Sequence, residues 1–180
     1  MLFAGPPEDD IDWADVSPTG AVKWLARVWR LCHDIGSAGL GTEPASGDGV
    51  LRAAVHKLIA DATMQTESKR FNVTVARLME LTSLLRKEVD GGALEAATGP
   101  AALREGAEAL ARMLSVFAPF TAEEVWSLLG REASVVFAGW PSYDDQLLVE
   151  DTVVCVVQVA GKVRDRLEVA VDIGEAELRE

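Results

Sequence analysis

The sequence predicts a mainly α-helical fold, an antiparallel helical bundle followed by a small α+β segment that contains a β-hairpin. Apolar residues recur at helical spacing through most of the chain and then alternate with polar residues from about residue 153. With 180 residues, 49% of them hydrophobic, the chain is long enough for one sizeable core and a fragment of a second domain.

The stretch 69–87 is predicted to be the central helix of the bundle. Its apolar stripe comprises Phe71, Val75, Leu78, Leu81, Thr82, Leu85 and Val89. The opposite side carries Arg77, Glu80, Ser83 and Lys87. The basic pair Lys69–Arg70 stands at the start of this helix, where the helix dipole disfavours cations. The pair therefore indicates a role other than helix stabilisation.

The chain is acidic, with 17 basic against 29 acidic residues and a formal net charge of −12. This balance argues against nucleic-acid binding by bulk charge, so any RNA contact must be local. Neither a signal peptide nor a run of eighteen apolar residues occurs, and we expect a cytoplasmic protein. Cys32 and Cys155 are expected to be reduced core residues, and no metal-ligand spacing is present.

The first helix follows an irregular acidic lead-in, residues 1–16. Ser17 and Pro18 predict its start and Gly36 its end. Its core face is predicted to hold Leu25, Val28, Trp29, Cys32 and Ile35, while Trp24 could belong to either the core or its rim. Lys23, Arg27 and Arg30 share the other side. A solvated face is the commoner explanation of such a stripe, and a phosphate-contacting stripe is the alternative.

Three more helices complete the predicted bundle. A glycine-rich loop precedes the second helix, about 50–67, on which His56 is interpreted as a surface residue. The next helix after the central one begins at Gly99–Pro100 and ends at Pro119. A capping box, Thr121 with Glu124, predicts the start of a short helix that reaches Gly130.

The pattern then changes to β-structure. Residues 135–137 are a candidate strand, and residues 153–171 predict a hairpin that turns at Ala160–Gly161. Lys162 lies beside the turn, and Arg164 is predicted on the outward face of the second strand.

No catalytic arrangement is evident in the residues. The chain has no glycine-rich phosphate loop and no nucleophile with a nearby base signature. The acidic pairs Glu123–Glu124 and Asp144–Asp145 are explained by helix capping and turn composition. The patterns alone therefore predict a binding or scaffold module.

Four segments, 71–81, 117–126, 140–144 and 157–164, together resemble the C-terminal part of bacterial leucyl-tRNA synthetases, which are class I enzymes. The element at 117–126 is shared with the isoleucyl, valyl and methionyl relatives, whereas the hairpin segment selects the leucyl branch. Two positions depart from the family pattern. Ala160 stands where the family usually has asparagine, and Phe120 stands where it often has histidine.

The resemblance implies an anticodon-binding type helical bundle at about 17–130 and a partial C-terminal α/β domain at about 131–180. It implies a role in binding leucine tRNA, with no catalytic residue in this chain. The contact residues that we expect are Lys69, Arg70, Lys162 and Arg164, then Arg27 and Arg30.

The family's ATP-binding signature peptides are missing from this sequence, so we expect the chain alone to be inactive. ATP and magnesium would be bound by the catalytic part of the synthetase, which is the second expected partner beside tRNA. A monomer without a membrane partner is expected. Two alternatives stay open. One is a structural or interaction module without RNA affinity, and the other is the corresponding part of an isoleucyl, valyl or methionyl synthetase.

Overall fold

The structure is a computed structural model, and it describes residues 5, 17–39, 49–94, 100–148, 152–159 and 162–170. Its helices are α1 (Thr19–Ser37), α2 (Gly49–Glu67), α3 (Phe71–Asp90), α4 (Pro100–Leu114) and α5 (Pro119–Leu128). Two 3₁₀ helices follow, Val135–Ala138 and Asp145–Leu148, and then two strands, β1 (Thr152–Val159) and β2 (Lys162–Ala170). The chain forms two compact units, residues 1–144 and 145–180.

Helix α3 packs against α1, α2 and α4 in the first unit. The stripe predicted for it is confirmed, because its inner members are buried and only Phe71 and Val89, near the two ends, are partly exposed. The mainly helical fold class is therefore confirmed. None of the helices described combines the length and apolar character needed to cross a bilayer.

Trp24 belongs to the core and joins α1 to α3. Its side chain is 4% exposed, and its Nε1–H donates to Thr82 Oγ1 at 3.1 Å. Thr82 in turn donates to the carbonyl oxygen of Leu78 at 2.7 Å, so both buried polar groups have partners. Cys32 lies in the same core, where burial raises the pKa of its thiol to about 12.

Helix α1 approaches α5 closely at Gly36. A Cβ atom at this position would lie 2.0 Å from the carbonyl oxygen of Leu128. Since real Cβ atoms essentially never come so close to another heavy atom, this crossing requires glycine. The predicted end of α1 is displaced by one residue, because the helix continues through Gly36 to Ser37.

The predicted start of the short helix at Thr121 is wrong. Helix α5 begins at Pro119, with Ala118 in the cap position, so Thr121 and Glu124 lie inside the helix. Proline suits a first turn because its fixed φ is helical and its missing N–H would have no helical partner there. Pro119 therefore starts α5, and α4 has already ended at Leu114.

The predicted strand at 135–137 is also wrong, because Val135–Ala138 forms a 3₁₀ helix. Its first backbone N–H groups are taken by side chains. The Glu123 carboxylate accepts from the N–H of Val135 at 3.2 Å, and Ser134 Oγ accepts from the N–H of Val136 at 3.3 Å. These local bonds replace the strand ladder that a β-branched run would otherwise favour.

In the second unit, β1 and β2 pair antiparallel. The register runs from Thr152 opposite Ala170 to Val157 opposite Asp165, and it then shifts so that Gln158 faces Val163. This shift leaves Arg164 at the irregularity. The turn predicted at Ala160–Gly161 lies outside the described residues. The hairpin as a whole, and its place in an α/β domain, stay predictions.

Candidate nucleic-acid interface

Lys69 and Arg70 form the tight turn between α2 and α3. Both backbone N–H groups are bonded, because Lys69 N–H donates to the carbonyl oxygen of Thr66 at 3.0 Å and Arg70 N–H to that of Gln65 at 2.8 Å. Both side chains are exposed, and neither has an ion-pair partner within the described part of the chain.

The backbone of Lys69 has a φ of 59°, the only positive value outside glycine among the described residues. Lysine is unfavourable in this left-handed conformation, where glycine or asparagine is common. Such a conformation is tolerated when the surrounding bonds hold it, as the two hydrogen bonds of this turn do. The turn therefore exposes two cationic side chains, although its backbone geometry would favour glycine or asparagine at position 69.

Arg27 and Arg30 lie on the exposed side of α1, opposite the buried Val28 and Leu31. Lys23 is exposed on the same helix. Across the ranges that the structure describes, none of these three cations has a carboxylate partner. The stripe predicted from the sequence is thus present as a set of solvent-facing cations, and its role as a phosphate contact stays a prediction.

Most other arginines of the helical unit are already paired. Arg77 contacts Asp61 and Glu80, and Arg86 contacts Asp34 and Asp90. Arg52 pairs with Glu105, whereas Arg104 and Arg131 share Glu108. The sequence does not distinguish these paired cations from the unpaired ones, because several of the partners are distant in the chain. The structure separates them and leaves the unpaired cations as the better candidates for an external anion.

Lys162 and Arg164, the two remaining predicted contacts, lie on β2. Lys162 is opposite Val159 in the ladder, and Arg164 lies at the register shift. The structure therefore places four of the six predicted residues on the helical unit and two on the hairpin unit. Their contacts with RNA stay predictions.

His56 is a residue that the sequence interpretation missed. It is predicted to be exposed, but only 6% of it is accessible, so that interpretation is wrong. Nδ1 accepts from the backbone N–H of Asp144 at 2.9 Å, and Nε2 lies 3.1 Å from Glu105 Oε1. Because Nδ1 is an acceptor, the neutral ring carries its proton on Nε2, and this N–H donates a hydrogen bond to Glu105.

Glu105 also accepts two hydrogen bonds from Arg52, at 2.7 and 3.2 Å. Partial burial alone would raise the pKa of the Glu105 carboxyl, but the hydrogen bonds from Arg52 and His56 outweigh this and hold it below its ordinary value. Arg52 and His56 both lie on α2, 53 and 49 residues before Glu105 on α4, and no local sequence signal connects them to Glu105.

The segment 138–144 is bound to the bundle by side chains. The Arg112 guanidinium donates to the carbonyl oxygens of Ala138, Gly139 and Trp140 at 2.8–2.9 Å. Trp140 Nε1–H donates to Thr63 Oγ1 at 2.8 Å. A cleft of about 360 Å³ lies beside this segment, and its lining includes His56 and Glu105. Its charged groups largely bind one another, and no cluster of three metal-ligating side chains occurs in the described ranges.

A family model described as the anticodon-binding domain of tRNA ligase matches residues 48–178, which is more than half of the chain. The chain belongs to this family. The match includes the central helix with the four motif segments, and the resemblance stated from the sequence is confirmed.

Leucine–tRNA ligases are homologues of this anticodon-binding domain along its full length. The chain is 58% identical over 180 residues to the enzyme of Arthrobacter sp. (strain FB24) and 59% identical over 180 residues to that of Paenarthrobacter aurescens (strain TC1), covering 100% of this chain and 21% of each relative. It is 40% identical over 185 residues to the enzyme of Geobacter sp. (strain M21), covering 99% of this chain and 22% of that one. The chain thus spans about a fifth of the length of these relatives.

A solved structure has a similar arrangement. The ternary complex of Agrobacterium radiobacter K84 agnB2 LeuRS, tRNA and LeuAMS matches with a TM-score of 0.77 and 26% sequence identity. The match covers 99% of this chain and 23% of that protein.

Proposed function

We propose that this chain is the tRNA-binding part of a leucyl-tRNA synthetase and positions leucine tRNA for aminoacylation by the catalytic part of the enzyme. The observation that carries the proposal is the exposed Lys69–Arg70 turn, two cations without an internal partner in the described part of an anticodon-binding domain. The solved LeuRS complex that the chain resembles contains tRNA, which supports the same ligand class.

The charge of the chain limits how it can bind RNA. A net charge of −12 opposes the approach of a polyanion, so affinity has to come from local cations that touch phosphates. Lysine and arginine suit this task because both offer only hydrogen-bond donors and a positive charge. Stems of RNA are recognised largely by shape and by phosphate contacts, for which a few well-placed cations suffice.

The proposal extends to the other predicted residues and to the rest of the enzyme. Lys162 and Arg164 on β2, and Arg27 and Arg30 on α1, are proposed as further RNA contacts. The bundle is assigned to about 17–130, and the start of the C-terminal α/β domain to about 131–180. ATP and magnesium belong to the catalytic part. The chain is proposed to act as a cytoplasmic monomer without a membrane partner.

The test is a double variant, Lys69→Gly with Arg70→Ala, titrated against leucine tRNA at several salt concentrations. Glycine is chosen at position 69 because it adopts a φ of 59° without steric cost, so the fold is preserved. Loss of two phosphate contacts should weaken binding and lower the slope of log K against log salt by about two.

The matched control is Lys57→Ala with Arg131→Ala, which removes two positive charges elsewhere on the helical unit. It should change the slope far less than the turn variant. Equal slopes for the wild type and the turn variant would show that Lys69 and Arg70 do not contact phosphate.

The net charge of −12 favours one competing function, an interaction module without RNA affinity. A folded wild-type chain that shows no saturable binding to leucine tRNA at low salt would support that alternative. Titration with isoleucine, valine and methionine tRNAs tests the remaining alternative, that the chain is the corresponding part of an isoleucyl, valyl or methionyl synthetase. Tighter binding to any of them than to leucine tRNA would assign the chain to that branch.

A further inference from the structure

A groove separates α1 from α3 on the outside of the helical unit. Its lining residues are Arg27, Thr82, Ser83, Arg86, Lys87 and Asp90, and its volume is about 380 Å³. Since a water molecule occupies about 30 Å³ in the liquid, the α1–α3 groove has room for a phosphate group with part of its hydration shell.

Two contacts fix the walls of the α1–α3 groove. The buried hydrogen bond from Trp24 to Thr82 joins the helices at one point, and the ion pair of Asp34 with Arg86, 2.6 Å long, joins them at another. Helices joined at two points keep the walls of the groove at a fixed spacing before any ligand arrives. A binding site of this kind loses less conformational entropy when it is occupied.

The charged side chains at the α1–α3 groove divide into an ion-paired group and an unpaired group. Arg86 binds Asp34 and Asp90, and these hydrogen bonds raise the pKa of its guanidinium and lower the pKa of the Asp90 carboxyl. Arg27 and Lys87 are exposed and lack a carboxylate partner in the described parts of the chain. Three cations thus face two carboxylates, which leaves one net positive charge, and the two unpaired cations are Arg27 and Lys87.

We infer that the α1–α3 groove is a second binding site for RNA backbone phosphate, with Arg27 and Lys87 as its donors. A phosphodiester carries one negative charge and oxygens that only accept hydrogen bonds, whereas both side chains only donate. Ser83 contributes no donor, because its hydroxyl already donates to the carbonyl oxygen of Met79 at 2.9 Å. This inference rests on the proposed tRNA-binding function and names an additional contact.

The α1–α3 groove is distinct from the Lys69–Arg70 turn. Lys87 lies 17 residues beyond Arg70, near the opposite end of α3, which corresponds to about 26 Å along the helix axis. The two sites therefore contact separate phosphates. Because additivity holds for sites this far apart, each can be removed without affecting the other.

Lys87 also lies in the last turn of α3, where a cation stabilises the helix dipole. A purely structural role predicts that its removal lowers thermal stability and leaves RNA affinity unchanged. A phosphate-binding role predicts that replacing Arg27 and Lys87 together weakens RNA binding while the chain stays folded. The experiment therefore measures both stability and binding for each variant.

The test compares three double variants with the wild type in titrations of leucine tRNA. Arg27→Ala with Lys87→Ala removes the donors, Arg27→Lys with Lys87→Arg keeps the charges, and Lys57→Ala with Arg131→Ala is the control. We expect the first to lower the salt slope by about two and to weaken binding. The charge-keeping variant should retain most of the slope, and the control should change it far less. Thermal melting checks that the groove variants stay folded.

Phosphate ethylation interference adds a readout specific to position. Ethylation of certain tRNA phosphates should weaken binding to the wild type. We expect some of these phosphates to lose their effect on binding by the Arg27→Ala, Lys87→Ala variant but to keep it for binding by the turn variant. If the wild type binds tRNA and this groove variant matches the wild type in slope and interference pattern, the inference is overturned while the proposed function stands. If the folded wild type binds no tRNA, both are overturned.

Discussion

Replacement of Gly36 by alanine tests how closely α1 packs against α5. The added Cβ would lie 2.0 Å from the carbonyl oxygen and 2.9 Å from the carbonyl carbon of Leu128. Ordinary van der Waals contact begins at 3.4 Å, so the closer of these contacts is too short by 1.4 Å. Both opposing atoms are backbone, and a rotamer change cannot relieve the clash. The two helices must move apart.

The free energy of unfolding should fall by about 1–3 kcal/mol in Gly36→Ala. Overpacking of a tight contact costs about 1–3 kcal/mol or more. Alanine gains at most about 1 kcal/mol over glycine inside a helix, and this gain is smaller near a helix end. The melting temperature should fall by about 2–4 °C for each kcal/mol lost in a chain of this size.

Gly20→Ala is the matched control because it makes the same substitution in the same helix. A Cβ at position 20 would meet no atom within 4 Å. Only the propensity effect remains, so the free energy of unfolding should rise by about 0.5 kcal/mol. Urea unfolding followed by circular dichroism measures both variants. The same sign of change in the two would refute the close helix crossing at Gly36.

Three further substitutions test hydrogen bonds of the helical unit. Trp24→Phe removes the hydrogen-bond donor to Thr82. The free energy of unfolding should fall by about 1–2 kcal/mol with an unchanged urea m-value. An unchanged free energy of unfolding would show that the bond contributes nothing. Arg112→Leu leaves three carbonyl oxygens without their hydrogen-bond donor. Amide hydrogen exchange within 135–144 should therefore accelerate, and the free energy of unfolding should fall by about 2 kcal/mol. Unaltered exchange would contradict this. The folded-state pKa of Glu105 is lowered, so its stabilisation is present above the ordinary carboxyl value of 4.5 and is lost as pH falls through the folded value. Wild type should therefore exceed Glu105→Gln in stability at pH 7 and lose that advantage as pH falls through the lowered pKa of Glu105, and a constant difference across this range would refute the linkage.

The central helix could be predicted from the sequence because its evidence is local. Every third or fourth residue of α3 is apolar, and burial of Val75, Leu78 and Leu85 follows from that spacing. The start of α5 was harder because two local signals compete. Thr121 with Glu124 matches a capping box, yet Pro119 two residues earlier already has the backbone geometry of a first turn.

Features that depend on distant partners could not be predicted. The 3₁₀ helix at Val135–Ala138 is held by Glu123 and by Arg112, which are far enough away that a short β-branched run alone suggests a strand. His56 is buried because Glu105 and Asp144 bind its two ring nitrogens. Hydrophobic spacing carries no information about such partners.

The candidate interface could be predicted in part. Lys69 and Arg70 are conspicuous in the sequence because cations are unfavourable at a helix start, and the structure leaves both side chains exposed. Lys87 could not be selected from the sequence as an RNA contact. What distinguishes it from Arg86 is that Arg86 has carboxylate partners whereas Lys87 has none in the described residues, and the partner Asp34 is known only from the packing of α1 against α3.

Titration of the folded wild-type chain with leucine tRNA, repeated across a series of salt concentrations, tests the central claim most directly. The proposed function predicts saturable binding at low salt that weakens steadily as salt increases, because local lysines and arginines displace counterions from phosphates. Absence of binding at low salt, with circular dichroism showing the native helical content, would contradict it.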